Sequence, residues 1–428
     1  MKRSIQALFT AILMLTGVLY ASTWEPPMDI SNNLPGNGNG VIVVDSQGNA
    51  AAIWQDPATN TVLTSYRLFE GLWETPIALG TADPDPYICV DEAGNLRAIW
   101  EFGATIRTAT RPFGGTWTPY VQIYTKKADF DNLRVACVEN NGYSVVSWTE
   151  IDVTNTVKAA TWNGTSWTIT PLNVPADQTV SLTAKPIPRI LPDGTTFVAF
   201  LANSVKSGND DIYTTMGSAA TGTWATIAPR NFVKPTSFDF ALSSTGNGGI
   251  ACLDAANQIN ATYYLGGAWG GVGNVTTTAS DAALIGFDRF NMATIVYPTS
   301  LGEIRKASTN AAAISYQDAG ISPGTTGYHT PKLSVSENGG MVASYLGPSG
   351  DIYGQTGKSG VFEASPASLN ALAKNESVAM SDNGTAYALW KDTVTTGFME
   401  ASRTYNPADN LLKVLGKKRL MYQKGLLP

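Results

Sequence analysis

Apolar and polar positions fall in blocks along this chain, and one block form keeps returning. In Val41–Trp54 (VIVVDSQGNAAAIW) an apolar run meets a polar break centred on Gly48, followed by a second apolar run closed by tryptophan. The form returns as Ile88–Trp100, Val135–Trp148, Pro188–Phe200, Phe240–Leu253, Ile285–Tyr297, Leu333–Tyr345 and Val378–Trp390, eight copies in all. Turn glycines at Gly48, Gly94, Gly142, Gly194, Gly246, Gly339 and Gly384, with Asn291 in that place in the sixth copy, set a period of 45–52 residues. Consecutive β-branched and small apolar residues read as a strand covered on both faces, and the glycine supplies the positive φ that a hairpin bend needs. Asn-Gly at 141–142, 338–339 and 383–384 and Asp-Gly at 193–194 signal the same bend.

Each hairpin is followed by a polar loop, a third strand such as Thr61–Leu68, and a fourth that opens on an aromatic residue. Trp73, Trp117, Trp167, Trp224, Trp269 and, more weakly, Phe362 mark those openings. Strand-rich repeats of this length are blades, so the expected fold is all-β, an eight-bladed β-propeller of four-stranded antiparallel blades. The sixth repeat, with neither turn glycine nor tryptophan near Ala312–Tyr316, still counts as a blade. After Trp390 only one further strand, near Thr396–Thr404, precedes Asn406-Pro407, so the eighth repeat lacks its fourth. Ala21–Ser31 (ASTWEPPMDIS) resembles the segments at Trp73 and Trp117. It is expected to complete the last blade as an outer strand, closing the ring and removing a sheet edge. Four tryptophans (Trp54, Trp100, Trp148, Trp390) end second strands and six open fourth strands, counting Trp24; Trp162 alone has no place in the scheme.

The organisation is therefore a leader at 1–22, a propeller at 23–405 and a tail at 406–428. Lys2 and Arg3, an apolar run from Ala7 to Ala21 and a polar, proline-bearing stretch after it have the layout of a secretory signal peptide, so export is expected. Seven of the 28 basic residues lie in the leader and tail, leaving 21 in the body against all 34 acidic ones. An acidic body argues against nucleic acid as a partner. The tail carries Lys413, Lys417, Lys418, Arg419 and Lys424, which fits docking on the ring or association with an envelope surface. By register Cys89 and Cys137 both occupy the place of Val43, and Cys252 that of Trp54, so all three are expected as free thiols in strands. With His329 the only histidine, neither a metal nor another cofactor is expected.

In propellers, ligands meet the face where loops lead into the innermost strands. Those lead-in loops carry Asp83 and Asp85 in repeat two, Asp129 and Asp131 in repeat three, then Lys185, Lys234, His329 with Lys332, and Lys374 in repeats four, five, seven and eight. One side of the mouth is thus acidic and the other basic. Carboxylates two residues apart can hold Ca²⁺ or work as an acid and base, and they can equally be solvated loop charges. The second-to-third-strand loops add Asp56, Glu101, Glu150, Asp152, Asp210, Asp211, Asp254 and Asp351, expected as solvated loop charges, and among these loops Asn203–Asp211 is longer than its hairpin needs.

Asp45–Trp54 and Asp91–Trp100 resemble exported bacterial β-propeller repeat proteins built on D-x-x-G-N-x-x-A-x-W, a resemblance that covers 23–405 and implies fold but no chemistry. The turns also distantly resemble the Asp-box of sialidase-like propellers. Trp54 follows Gly48 by six residues rather than three, and no arginine triad can be assigned, so sialidase activity is not implied. The expected function is a non-enzymatic, monomeric binding scaffold for a protein or glycan; the rival is a carbohydrate hydrolase or lyase using the Asp83/Asp85 and Asp129/Asp131 pairs.

Overall fold

The computed structural model describes residues 23–405 apart from positions 35, 37–39, 84, 92, 126–128, 138–141, 152–154, 173, 175–177, 182–184, 205–209, 313–314, 371 and 394–397. At 129–137, 204, 375–376 and 405 it describes the backbone only. Positions 1–22, expected as a leader, and 406–428, the basic tail, lie outside these residues.

Each repeat folds into its own antiparallel sheet, eight in succession. Blade 1 runs outward as Val41–Val44, Ala50–Asp56, Thr61–Arg67 and Ile77–Thr81. Blade 2 follows with Tyr87–Val90, Leu96–Phe102, Thr105–Arg111 and Val121–Thr125. Blade 3 is Asp129–Cys137, Ser144–Ile151, Thr156–Trp162 and Trp167–Leu172. The hairpin bend works as its residues require: Gly48 has φ 89°, and Asn291 takes the same left-handed conformation at φ 65° in blade 6. Blade 6 is complete, although its outer strand is Gln317–Gly320 rather than the segment before it. In blade 1, Trp73 makes only an isolated bridge to Arg67, and the outer strand proper begins at Ile77.

Apolar residues gather in eight clusters, one at each blade-to-blade seam. This is what a run apolar on both faces should produce. Trp54, Trp100, Trp148 and Trp390 are fully buried in them. The outer-strand tryptophans each pack onto the seam with the preceding blade; Trp73 meets Tyr387 of blade 8 edge to face at 6.2 Å.

The last blade comprises Ala373–Met380, Thr385–Asp392 and Met399–Tyr405, and its outer strand comes from the other end of the chain. Met28 pairs with Ala401, Asp29 with Glu400, and Trp24 bridges Thr404. Ile30 is buried in the seam between blades 8 and 1. Glu25 then ties both blades together, accepting from Arg403 of blade 8 (Nε, 3.0 Å) and from Arg67 of blade 1 (Nη2, 3.1 Å). From the closing strand the chain runs tightly to blade 1: a Cβ on Gly40 would stand 2.5 Å from Met399 Cε and 2.8 Å from Leu389 Cδ2. The next seam has the same clamp, with Arg111 of blade 2 donating to both oxygens of Glu74 of blade 1 at 2.8 Å.

The thiol expectation holds for Cys252, which is free and buried, and fails for Cys89, which is disulfide-bonded. Equal register does not mean equal packing; the side chain of Cys137, expected as a third free thiol, lies outside the described residues.

Candidate functional site

Antiparallel blades put the lead-in loops and the second-to-third-strand loops on one face and the innermost hairpins on the other. The structure brings two of the expected mouth residues together. Lys185, leading into blade 4, donates from Nζ to Asp85 Oδ2 at 3.2 Å and to Tyr87 OH at 3.3 Å, its ammonium 5.7 Å from the Tyr87 ring centroid. Asp85 leads into blade 2, so this contact skips a blade and crosses the mouth. Asp85 holds a left-handed backbone at φ 74°, which few non-glycine residues other than Asp and Asn adopt.

Asp83 is engaged by the second-to-third-strand turn of its own blade, its Oδ2 accepting from Gly103 N at 2.7 Å. Asp129 and Asp131 open blade 3's innermost strand, opposite Ile151 and Thr149; their side chains lie outside the described residues. Lys234 (φ 47°) and Lys374 are exposed. So is His329, which pairs with Leu346 one bulge before Lys332. These four belong to blades 5, 7 and 8. Several loop acids expected as solvated charges instead lock turns: Asp56 accepts from Ala58 N and Thr59 Oγ1, and Asp254 from Ala256 N and Gln258 N. Positions 205–209 of the long loop lie outside the described residues. At its end, Asp211 accepts from Asn231 N and Phe232 N, and burial raises its carboxyl above the usual range.

One cluster was not foreseen. Glu150, read as a loop acid, is buried in the seam between blades 2 and 3 with Lys158 and Tyr124. Lys158 donates to Glu150 and, at 2.6 Å, to Tyr124 OH, which donates to Glu150 Oε1 at 2.9 Å. Burial alone would lower the Lys158 ammonium, but its two hydrogen bonds outweigh that and hold it above its ordinary value, while burial raises Tyr124. The three side chains thus bond one another. Only tertiary packing unites its members, for they stand on three different strands.

On the opposite face, a cavity of about 230 Å³ opens between blades 2 and 3, lined in part by Arg97, Tyr143, Ser144 and Trp162. A second, of about 190 Å³, sits at the innermost hairpins of blades 1, 2, 7 and 8.

No family model matches the chain, and no curated protein matches it. With no family model matched, the sialidase resemblance has no support at the level of sequence. Solved structures do match. The Dos1 propeller is 10% identical, with a TM-score of 0.52 over 90% of this chain and 95% of that one. A polysaccharide lyase of family PL25, an ulvan lyase bound to -[GlcA(1-4)Rha3S]-, is 12% identical, with a TM-score of 0.51 over 89% and 95%. A fucose-specific lectin from Aleuria aurantia is 10% identical over 67% and 96%, with a TM-score of 0.39. The fold places this chain in the class of eight-bladed β-propellers, and at these identities the likeness concerns fold alone.

Proposed function

We propose that this protein is an exported propeller that binds a saccharide at its lead-in mouth without cleaving it. The observation that carries this reading is the Asp85–Tyr87–Lys185 group. It sets a carboxylate, a phenol and an ammonium side by side on half-exposed side chains, the mixed donors and acceptors that hydroxyl-rich ligands take up. General acid–base cleavage needs a carboxyl free to exchange a proton with the ligand. Asp83 and Asp85 are both already engaged, by Gly103 N and Lys185. An ulvan lyase that shares the architecture binds a saccharide, which supports the ligand class. A disulfide at Cys89 suits an oxidising compartment and so supports export.

A glycan array probed with the full chain tests this directly. Lys185→Ala is expected to weaken the retained glycan about tenfold, a loss of about 1.4 kcal/mol, with the unfolding midpoint unchanged. An array without any retained glycan would overturn the reading.

A further inference from the structure

The clamp that ties blade 8 to blade 1 and blade 1 to blade 2 is missing at the next seam. In the first two, a glutamate after the outer-strand tryptophan (Glu25, Glu74) takes an arginine at the end of the next blade's third strand (Arg67, Arg111). The backbone fixes the equivalent positions: Thr118 N bonds Thr110 O as Glu74 N bonds Tyr66 O, and Trp162 pairs with Trp167 as Arg67 bridges Trp73. So Thr118 stands for the glutamate and Trp162 for the arginine. Trp162 is the tryptophan that the repeat left without a place.

What opens there is the cavity of about 230 Å³, and Arg97 of blade 2 reaches into it. Its Cζ lies 5.1 Å from the ring centroids of both Trp162 and Trp167, which are themselves tilted at 48° and 5.5 Å apart. Its Nε donates to Ser144 Oγ at 2.9 Å, and among the described residues no carboxylate pairs with it. The other arginine in the lining, Arg111, is taken by Glu74. The nearby Asp91 carboxylate is spent on Asn95 N and Nδ2, at 2.8 and 2.9 Å. Burial pushes the Arg97 pKa down to about 10, and the charge of nearby Asp91 offsets only part of that.

We propose that this seam is a second saccharide site, taking a single sugar unit that bears an anionic group, with the Arg97 guanidinium receiving the anion and Trp162 and Tyr143 flanking the ring. Guanidinium forks match planar carboxylates and sulfates two bonds at a time. A cavity smaller than the roughly 300 Å³ of drug-sized pockets suits one pyranose. Aromatic walls beside the Ser144 and Thr110 hydroxyls suit a ring with an apolar face and a hydroxyl edge. The site shares its ligand class with the mouth reading and none of its residues.

The test titrates the full chain with glucuronate, glucose and inorganic sulfate, following tryptophan fluorescence and heat. Glucuronate is expected to bind at least tenfold more tightly than glucose or sulfate. Arg97→Gln should remove that preference with the unfolding midpoint kept, and Lys185→Ala should leave it intact. Should Arg97→Gln not fold, Thr118→Glu restores the clamp's carboxylate to the seam and is expected to weaken glucuronate several-fold. Equal binding of glucose, sulfate binding as tight as glucuronate, or full affinity in whichever variant folds would each overturn the proposal. Glucuronate binding lost in Lys185→Ala but kept in Arg97→Gln would overturn it too, while leaving the mouth reading standing.

Discussion

Removing residues 23–31 is expected to destabilise the whole ring by about 5 kcal/mol and to make it self-associate. The segment buries Ile30 at the seam of blades 8 and 1, which is worth about 2 kcal/mol. Its loss also leaves Arg67 and Arg403, with side chains 7% and 13% exposed, without the carboxylate they share. Breaking a buried pair costs about 3–5 kcal/mol; Glu25 is itself 37% exposed, so the low end applies here. Beyond this sum, Met399–Tyr405 becomes an open edge strand, a template for pairing with another chain. Hydrogen exchange should show Met399–Tyr405 amides losing protection first, and light scattering should rise with concentration. A monomeric variant with undiminished protection there would refute the closure.

Trp100→Ala is the largest single-residue effect expected, about 3–5 kcal/mol by denaturant unfolding. The indole is fully buried in the seam of blades 1 and 2, edge-on to Tyr120 at 5.9 Å, and donates from Nε1 to Thr81 O at 3.1 Å. Burial of roughly 200 Å² at about 25 cal/mol/Å² sets an upper bound on the order of 5 kcal/mol, to which the orphaned carbonyl adds about 1. An unchanged unfolding midpoint would mean that Trp100 does not carry the seam.

Much of this fold was legible because each blade is specified by local chemistry. Gly48 and its equivalents bend the hairpin, apolar residues on both faces demand a neighbour on each side, and the last repeat visibly lacked a strand that Trp24 supplies. Asn291 was an exception only in type, since asparagine reaches the left-handed backbone with little strain. The disulfide at Cys89 was not legible, because register shows which positions are equivalent and not which side chains meet. The mouth was half legible. Loop charges could be assigned to a face, yet the Asp85–Lys185 contact depends on loop conformations that bring residues 100 apart together. Glu150 was misplaced because strand length decides whether a residue lies in a loop or in a seam: its strand runs on to Ile151. The Glu25–Arg67 and Glu74–Arg111 clamps do have a signal in the sequence, glutamate directly after an outer-strand tryptophan.

The measurement closest to the centre of this account pairs binding with turnover in one vessel. The full chain is incubated with a polysaccharide retained on the array, while bound ligand, new reducing ends and the ultraviolet absorbance of unsaturated sugar ends are followed together. Saturable binding with neither cleavage product accumulating is the predicted result. Product that forms with the parent chain and disappears when Asp83, Asp85, Asp129 and Asp131 are changed to alanine in a folded variant would contradict it.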